Sequence, residues 1–263
     1  MNNLDLHIVG LGNLGSAFLK GITNLDHNLT FHLYEKDPKI IDSINTEFGI
    51  NPKIELEDIE SGVLVLCIKP KDFNNFIETN KKKISENVLI CTVLAGVETS
   101  HISKFLNNKI IRLMPNLSIK DNNGFIPYTK NYKEDYLSFV EMLSGLGIIS
   151  EYEEELFHVI TAIYGSGPAW YIELSSKIEE AAVKLGLSKN DSNKIIRELL
   201  KSLPAFVSDE EFNDTVEKIK SPNGTTEAGL DSLMADSFDK IIFNAINSAT
   251  ERSIQISKEI KDE

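Results

Sequence analysis

Three glycines at G-x-G-x-x-G spacing, Gly10, Gly12 and Gly15, follow directly on the apolar run Leu6-His7-Ile8-Val9. A chain that opens this way is constrained to a strand, a tight turn and a helix. The run has the length and branching of a buried strand. Gly10 permits the turn, Gly12 lets the backbone approach a phosphate, and Gly15 lets the helix pack close to the strand. The first helical turn, around Asn13 to Ser16, then aims its N–H groups at an anion. Glycines placed for geometry alone would show the same spacing, so a second signal is needed. Glu35 supplies one, twenty residues after Gly15 at the end of the apolar run Leu29 to Tyr34. A carboxylate there accepts from the ribose 2′-hydroxyl of NAD and repels the 2′-phosphate of NADP. Lys36 pulls the other way. The pair leans towards NADH with some use of NADPH.

Composition narrows the class. The chain has 263 residues, 41% of them hydrophobic and 25% charged, enough for one large core or two modest ones. The net charge of −13 argues against nucleic-acid and anionic-membrane partners. It does not argue against a dinucleotide, which backbone amides would hold. No stretch reaches the ~18 apolar residues of a membrane span. The start MNNLDLH lacks a basic stretch followed by an apolar one, so a cytoplasmic protein is expected. Cys67 and Cys91 lie in strand-like runs and read as small buried hydrophobes, as in a reducing compartment. The five histidines are scattered and no C-x-x-C or H-E-x-x-H occurs, so no metal site is expected.

The chain changes character part-way. Its first half alternates helices and strands. A helix is expected near Ser16 to Thr23, and Asp37-Pro38 reads as an N-cap and first turn. Strands are expected at Gly62 to Ile68, Val88 to Thr92, Ile110 to Met114 and Gly124 to Thr129. Such near-continuous apolar runs suit parallel strands covered on both faces. A helix from Glu134 to Leu146 and a short strand near Ile148 would close a doubly wound α/β domain over residues 1–152. Residues 153–263 read as all-α. Leu156 to Leu185 is helical apart from Gly165-Ser166-Gly167-Pro168. Further helices are expected from Ser188 to Leu203, Asp209 to Ile219, and Asp231 to Ile260. Ile241, Ile242, Ala245, Ile246 and Ala249 share one face of the last. So many apolar helix faces with little to cover them point to a homodimer through this domain.

Ser221-Pro222-Asn223-Gly224-Thr225-Thr226-Glu227 lies between two expected helices. Pro and Asn-Gly turn the chain, and the following helix start presents N–H groups suited to a carboxylate. On the local residues alone, a capped connection with no ligand is the better fit. The loop becomes specific through a resemblance. SPNGTTEAGL is similar to the S-P-G-G-T-T loop of the pyrroline-5-carboxylate reductase family. GSGPAW at Gly165 to Trp170, Ile68-Lys69-Pro70, Leu94-Ala95-Gly96-Val97 and IIRLMPNLS at Ile110 to Ser118 match that family's other motifs, in order, from Gly10 to about Arg252.

The resemblance implies an N-terminal Rossmann domain, a C-terminal all-α dimerisation domain, and dimers that assemble further. It implies NAD(P)H-dependent reduction of 1-pyrroline-5-carboxylate to L-proline, the last step of proline biosynthesis. Gly10, Leu11, Gly12, Asn13, Leu14 and Gly15 would line the pyrophosphate. Ile68, Lys69, Pro70, Ala95 and Gly96 would border the ribose and nicotinamide, with Met114, Pro115 and Asn116 beside the ring. Ser221 opens the substrate loop. The amides of Asn223, Gly224, Thr225 and Thr226 would receive the carboxylate of a cyclic imino acid, and the Thr226 hydroxyl would meet the ring nitrogen as the catalytic group. Four places depart from the family pattern: Asn223 for glycine, Trp170 for tyrosine, Leu117-Ser118 for Thr-Pro, and Glu35 for a small or basic residue. These keep open a related imine substrate or a non-catalytic dinucleotide-binding protein. A β-hydroxyacid dehydrogenase shares the two-domain plan but needs a lysine one turn after the helix glycine. Tyr171 stands there, and the nearest lysine is Lys177.

Overall fold

Seven apolar runs become seven strands: β1 (Leu4–Val9), β2 (Leu29–Tyr34), β3 (Val63–Leu66), β4 (Leu89–Thr92), β5 (Ile110–Leu113), β6 (Gly124–Lys130) and β7 (Gly147–Glu151). The structure is a computed structural model and describes residues 4–25, 28–133, 137–207 and 209–262. The strands form one sheet in the order β2-β1-β3-β4-β5-β6-β7. Every residue of β3, β4 and β5 is buried. Alternate residues feed two cores, as the strand period of two requires. Val63 and Val65 pack with Phe18 and Phe139 on one face, while Leu64 and Leu66 pack with Phe73 and Ile77 on the other. This is why these strands read as unbroken apolar runs.

The flanking helices are α1 (Asn13–Thr23), α2 (Pro38–Phe48), α3 (Phe73–Asn80), α4 (Thr99–Ile102) and α5 (Leu137–Ser144). The expected cap of α2 is present: Asp37 accepts the Lys39 N–H at 2.9 Å, and Gly49 closes the helix at φ 68°. The first residues of the helix expected at Glu134 to Leu146 lie outside the described residues. One expectation is corrected. The run at Gly124 to Thr129 suggested another parallel strand, yet β6 runs antiparallel to β5, and β7 runs parallel to β6. Residues 114–123 join β5 to β6, short of the crossover of about a dozen or more residues that a parallel return needs. A further feature escaped the sequence reading. Beyond β2, Lys53 makes a single bridge to the sheet, donating to Leu33 O and accepting from Glu35 N.

Contacts divide the chain into two units: residues up to Gly165 together with Ser248 onward, and Ser166–Asn247. The sequence reading placed its join at Tyr152. In the first unit, α6 (Phe157–Ile160) runs into a π turn at Thr161–Gly165. In the second, α7 (Gly167–Lys184) has Pro168 in its first turn, and α8 (Lys189–Ser202) is capped by Ser188, which accepts the Asp191 N–H. They are followed by α9 (Phe212–Ile219), α10 (Thr225–Ala235) and α11 (Phe238–Asp262), which crosses the division at Ser248. The single helix expected from Asp231 to Ile260 is therefore two. Ser237 stands at φ 58°, a left-handed conformation that ends α10. The helix expected from Asp209 begins at Phe212; Ser208, just before it, lies outside the described residues. Within the helical unit Tyr171, Ile172, Phe212, Ile241 and Phe243 are each more than half exposed. Apolar surface of this extent marks a protein contact. No described helix is long and apolar enough to cross a membrane.

β1 and β2 also carry a titratable pair away from the strand ends. His7 and His32 lie opposite in register and stack with ring centroids 4.3 Å apart. Burial, then the neighbouring charge of His32, pushes His7 down to about 4 against the pull of Asp5 and Glu57. The unfolded chain would protonate His7 near 6.5, while the fold resists until about 4. This contribution to stability is thus present above pH ~6.5 and lost as pH falls towards 4. The expected result is a melting temperature that falls across that window in the native protein and falls less in His7→Phe. Identical pH slopes would remove His7 from the linkage.

Candidate cofactor and substrate sites

The glycine turn sits where the strand order reverses, between β1 and β3, at the carboxyl ends of the strands. That is where doubly wound sheets bind ligands. Gly10 has φ 87° and presses on β3's exit: a Cβ there would lie 2.9 Å from the carbonyl carbon of Cys67. A Cβ on Gly15 would lie 2.0 Å from the Gly10 carbonyl oxygen, so only glycine lets α1 start this close to the strand. At Gly12 a Cβ would meet nothing within 4 Å. Gly12 is the N-cap of α1 and offers no side-chain cap, and the first intrahelical bond is Ser16 N to Gly12 O. The N–H groups of Asn13, Leu14 and Gly15 therefore face outward without helix partners. An open cradle of amides at a helix start fits a pyrophosphate.

Glu35 stands beside this cradle. Its carboxylate accepts from Leu11 N at 2.7 Å, Lys36 N at 2.7 Å and Asp37 N at 3.0 Å. It therefore also holds the glycine loop in place, a role the sequence reading missed. Lys36 is exposed. Ile68, Lys69 and Pro70 follow β3, Ala95 and Gly96 follow β4, and Asn116 follows β5, so the same sheet edge gathers every residue singled out for the cofactor. A groove of ≈ 430 Å³ beside the loop is lined by Leu11, Gly12, Asn13 and Ser16 and includes Lys20 and Lys39.

In the helical unit, Ser221 to Glu227 turns tightly. Asn223 takes φ 58°, which asparagine tolerates better than most residues. Gly224 is the extended N-cap of α10 and donates to Ser221 O at 2.9 Å. Asn223 N donates to the Glu227 carboxylate at 2.6 Å. Two of the four amides expected to receive a carboxylate are thus used within the loop. The N–H groups and hydroxyls of Thr225 and Thr226, in the first turn of α10, are left to face a ligand.

Comparison with known proteins follows the same two halves. Residues 154–256 match the family described as pyrroline-5-carboxylate reductase dimerisation, and residues 5–96 match NADP oxidoreductase coenzyme F420-dependent. Pyrroline-5-carboxylate reductase 1 of Bacillus subtilis (strain 168) is 31% identical over 268 residues, covering 96% of this chain and 89% of that protein. This chain belongs to the pyrroline-5-carboxylate reductase family. Pyrroline-5-carboxylate reductase 2 of the same strain is 29% identical, covering 95% of this chain and 94% of that protein. Among solved structures, Plasmodium falciparum pyrroline carboxylate reductase with NADP bound superimposes with a TM-score of 0.82 at 26% identity, covering 97% of this chain and 100% of that one. The cofactor of this reductase fold is a nicotinamide dinucleotide.

The departures from the reductase pattern can now be placed. Ser118 replaces a proline, yet its N–H and hydroxyl both donate to Asn116 Oδ1, at 2.9 and 2.6 Å. The turn after β5 is thus pinned without the ring. Asn116 Nδ2 reaches the Tyr164 carbonyl at 3.3 Å, and the Tyr164 hydroxyl accepts from Phe125 N at 2.7 Å. The π turn that carries Tyr164 is a helix irregularity of the kind found at functional sites, and no residue pattern announced it. Trp170, which stands where the family has tyrosine, is half-buried on α7.

Arg112, buried on β5, donates to Glu154 at 3.0 Å and lies over the Phe157 ring at 4.9 Å. Glu154 also accepts from the Thr99 N–H and hydroxyl, at 2.8 and 2.6 Å. The pair ties β5 to the segment following β4. An arginine inside an apolar run was its only trace in the sequence.

Proposed function

We propose that this protein reduces 1-pyrroline-5-carboxylate to L-proline, the last step of proline biosynthesis, with a hydride from NADH or NADPH. One observation carries this reading above others. A chain with an amide cradle at the sheet's switch point also carries, on α10, a Thr-Thr helix start of the same family, and among the described residues no lysine stands one turn after Gly167, where alcohol dehydrogenases of this plan keep their catalytic base. An alcohol dehydrogenase needs one. Lys177, the lysine nearest the required place, is exposed and paired with Glu180 and Glu173; those partners raise its pKa rather than prepare it to accept a proton. An imine needs no base. Protonated by solvent, it is an electrophilic iminium. Hydride addition forms the C–H bond, and the C=N π electrons become the lone pair on nitrogen.

The residues then have distinct tasks. The amides of Thr225 and Thr226 take the substrate carboxylate, and the Thr226 hydroxyl orients the ring nitrogen and hydrogen-bonds the amine as it forms. The cofactor supplies the hydride. Asn13, Leu14 and Gly15 hold its pyrophosphate, and Ile68, Lys69, Pro70, Ala95, Gly96 and Asn116 border its nicotinamide half. Rate comes mainly from alignment at contact distance. The exposed apolar side chains of the helical unit support a homodimer, and the two free cysteines, Cys67 and Cys91, support a reducing cytoplasm. Purified protein should oxidise NADH or NADPH only when the cyclic imine is present. Binding of either dinucleotide without imine-dependent oxidation would favour a non-catalytic binding protein.

Cofactor choice follows from Glu35. Its carboxylate is fixed by three amides and places negative charge where a ribose 2′-phosphate would sit, which supports NADH. Lys36 and Lys39 lie close enough in sequence to offset it for NADPH. Glu35→Ser is expected to shift the ratio of catalytic efficiencies towards NADPH by about tenfold, the effect of one modest charge interaction. An unchanged ratio would show that Glu35 serves the loop alone.

A further inference from the structure

The last turns of α11 pack against the loop that follows β4. Gly96, at φ 76°, lies so close that a Cβ would stand 2.6 Å from Ile256 Cγ2. Glu98 is held on both oxygens: Ser257 Oγ donates to one at 2.6 Å, and Lys261 Nζ donates to the other at 2.8 Å, with Ser100 Oγ at 3.3 Å. His158 stands 3.9 Å from the same carboxylate and bonds Ser253 Oγ at 2.9 Å. A turn further on, the Ile260 carbonyl accepts from Asn74 Nδ2 at 2.7 Å, and Asn74 in turn meets His101. Ser253, Ser257 and Ile260 are the buried residues of this helix. Ile260 belongs to the same core as Leu64, Leu66 and Phe73. Burial would push the Glu98 carboxyl up, but Lys261 and Ser257 outweigh it and hold it down at about 2.

This is more than a helix end resting on a sheet domain. The next residue, Thr99, is fixed through Glu154 to Arg112 on β5. The segment from Ala95 to Thr99 is therefore gripped from two sides, by β5 and by α11. Nothing in a family of helices after residue 153 suggested that the chain's end serves the first half.

We propose that Ser257 and Lys261 are positioning residues for the dinucleotide: they hold Glu98, and through it the loop Ala95-Gly96-Val97, at the carboxyl end of β4 where the nicotinamide half binds. This rests on the reading of the first unit as the dinucleotide half. Both residues and the loop they hold belong to the first unit, whereas the substrate loop belongs to the second, so the effect is expected on cofactor affinity, with the imino acid as the control.

The test is the full-length Ser257→Ala/Lys261→Gln protein. The NADH dissociation constant is measured by fluorescence titration without substrate, the KM for pyrroline-5-carboxylate is measured at saturating NADH, and the oligomer is checked by sedimentation. The dissociation constant should rise about tenfold, a usual size for coupling through a packed neighbour, while the imino-acid KM and the oligomer stay as in the native protein. Lys261→Arg, which keeps the charge, should restore most of the affinity. If the double variant does not fold, Lys261→Gln alone should raise the dissociation constant about threefold. Unchanged NADH affinity overturns the proposal, as does a rise in both constants together, which would mean general loosening. Native protein that binds neither dinucleotide would instead overturn the reading of the first unit.

Discussion

Gly15→Ala is expected to damage both the first unit and its hold on the dinucleotide, whereas Gly12→Ala is expected to damage the second alone. At Gly15 the added methyl would fall 2.0 Å from the Gly10 carbonyl oxygen and 3.2 Å from Cys67 Cβ. The first neighbour is backbone, so α1 must shift or the turn must open. Overpacking of this kind costs about 1–3 kcal/mol, a fall of roughly 2–12 °C in melting temperature for a protein of this size. At Gly12 the methyl meets nothing within 4 Å and φ is −62°, so melting should be unchanged. The same methyl would project into the space kept for the pyrophosphate, and the NADH dissociation constant should rise between about ten- and a hundredfold. Thermal melts and titrations of the two variants separate the effects. Native affinity in Gly12→Ala would mean that the open space at the head of α1 is not where the phosphates lie.

Thr226→Ala should lower turnover by about ten- to a thousandfold, the range for losing one well-placed hydrogen-bonding group. Thr226 sits in the first turn of α10, after an N-cap glycine without a side chain, so removing its hydroxyl leaves the helix start intact. Asn223 N and Gly224 N are engaged by Glu227 and Ser221. The Thr225 and Thr226 amides, proposed to take the carboxylate, survive the substitution. The loss should therefore appear in kcat more than in KM for the imino acid. Thr226→Ser, which keeps the hydroxyl, should recover most of the rate. Steady-state constants of Thr226→Ala close to native would remove the hydroxyl from the chemistry.

What the sequence revealed and what it hid have physical causes. The glycine cradle, the Asp37 cap and the buried strands were legible because each rests on a local rule: left-handed φ, a side chain bonding a nearby N–H, an apolar run. The direction of β6 was not, because an apolar run carries no sign for parallel or antiparallel pairing; only the short connection at 114–123 decides it. The break at Ser237 was hidden because a left-handed serine leaves no composition signal inside an otherwise helical pattern. The long-range polar contacts were hidden for another reason. Glu98 with Ser257, and Arg112 with Glu154, are paired by tertiary packing across 159 and 42 positions of chain, and no spacing rule reaches that far. Glu35 was found for its place after β2, but its three amide bonds, which make it part of the loop, depend on how β1 and β2 end side by side.

The most direct test of the account is isotopic. The protein is supplied with NADH carrying deuterium at C4 of the nicotinamide, on the face it uses, and with pyrroline-5-carboxylate in ordinary water. Direct transfer predicts proline with a single deuterium on the former imine carbon and none elsewhere. Proline without that deuterium, or cofactor oxidation with no proline formed, would contradict it.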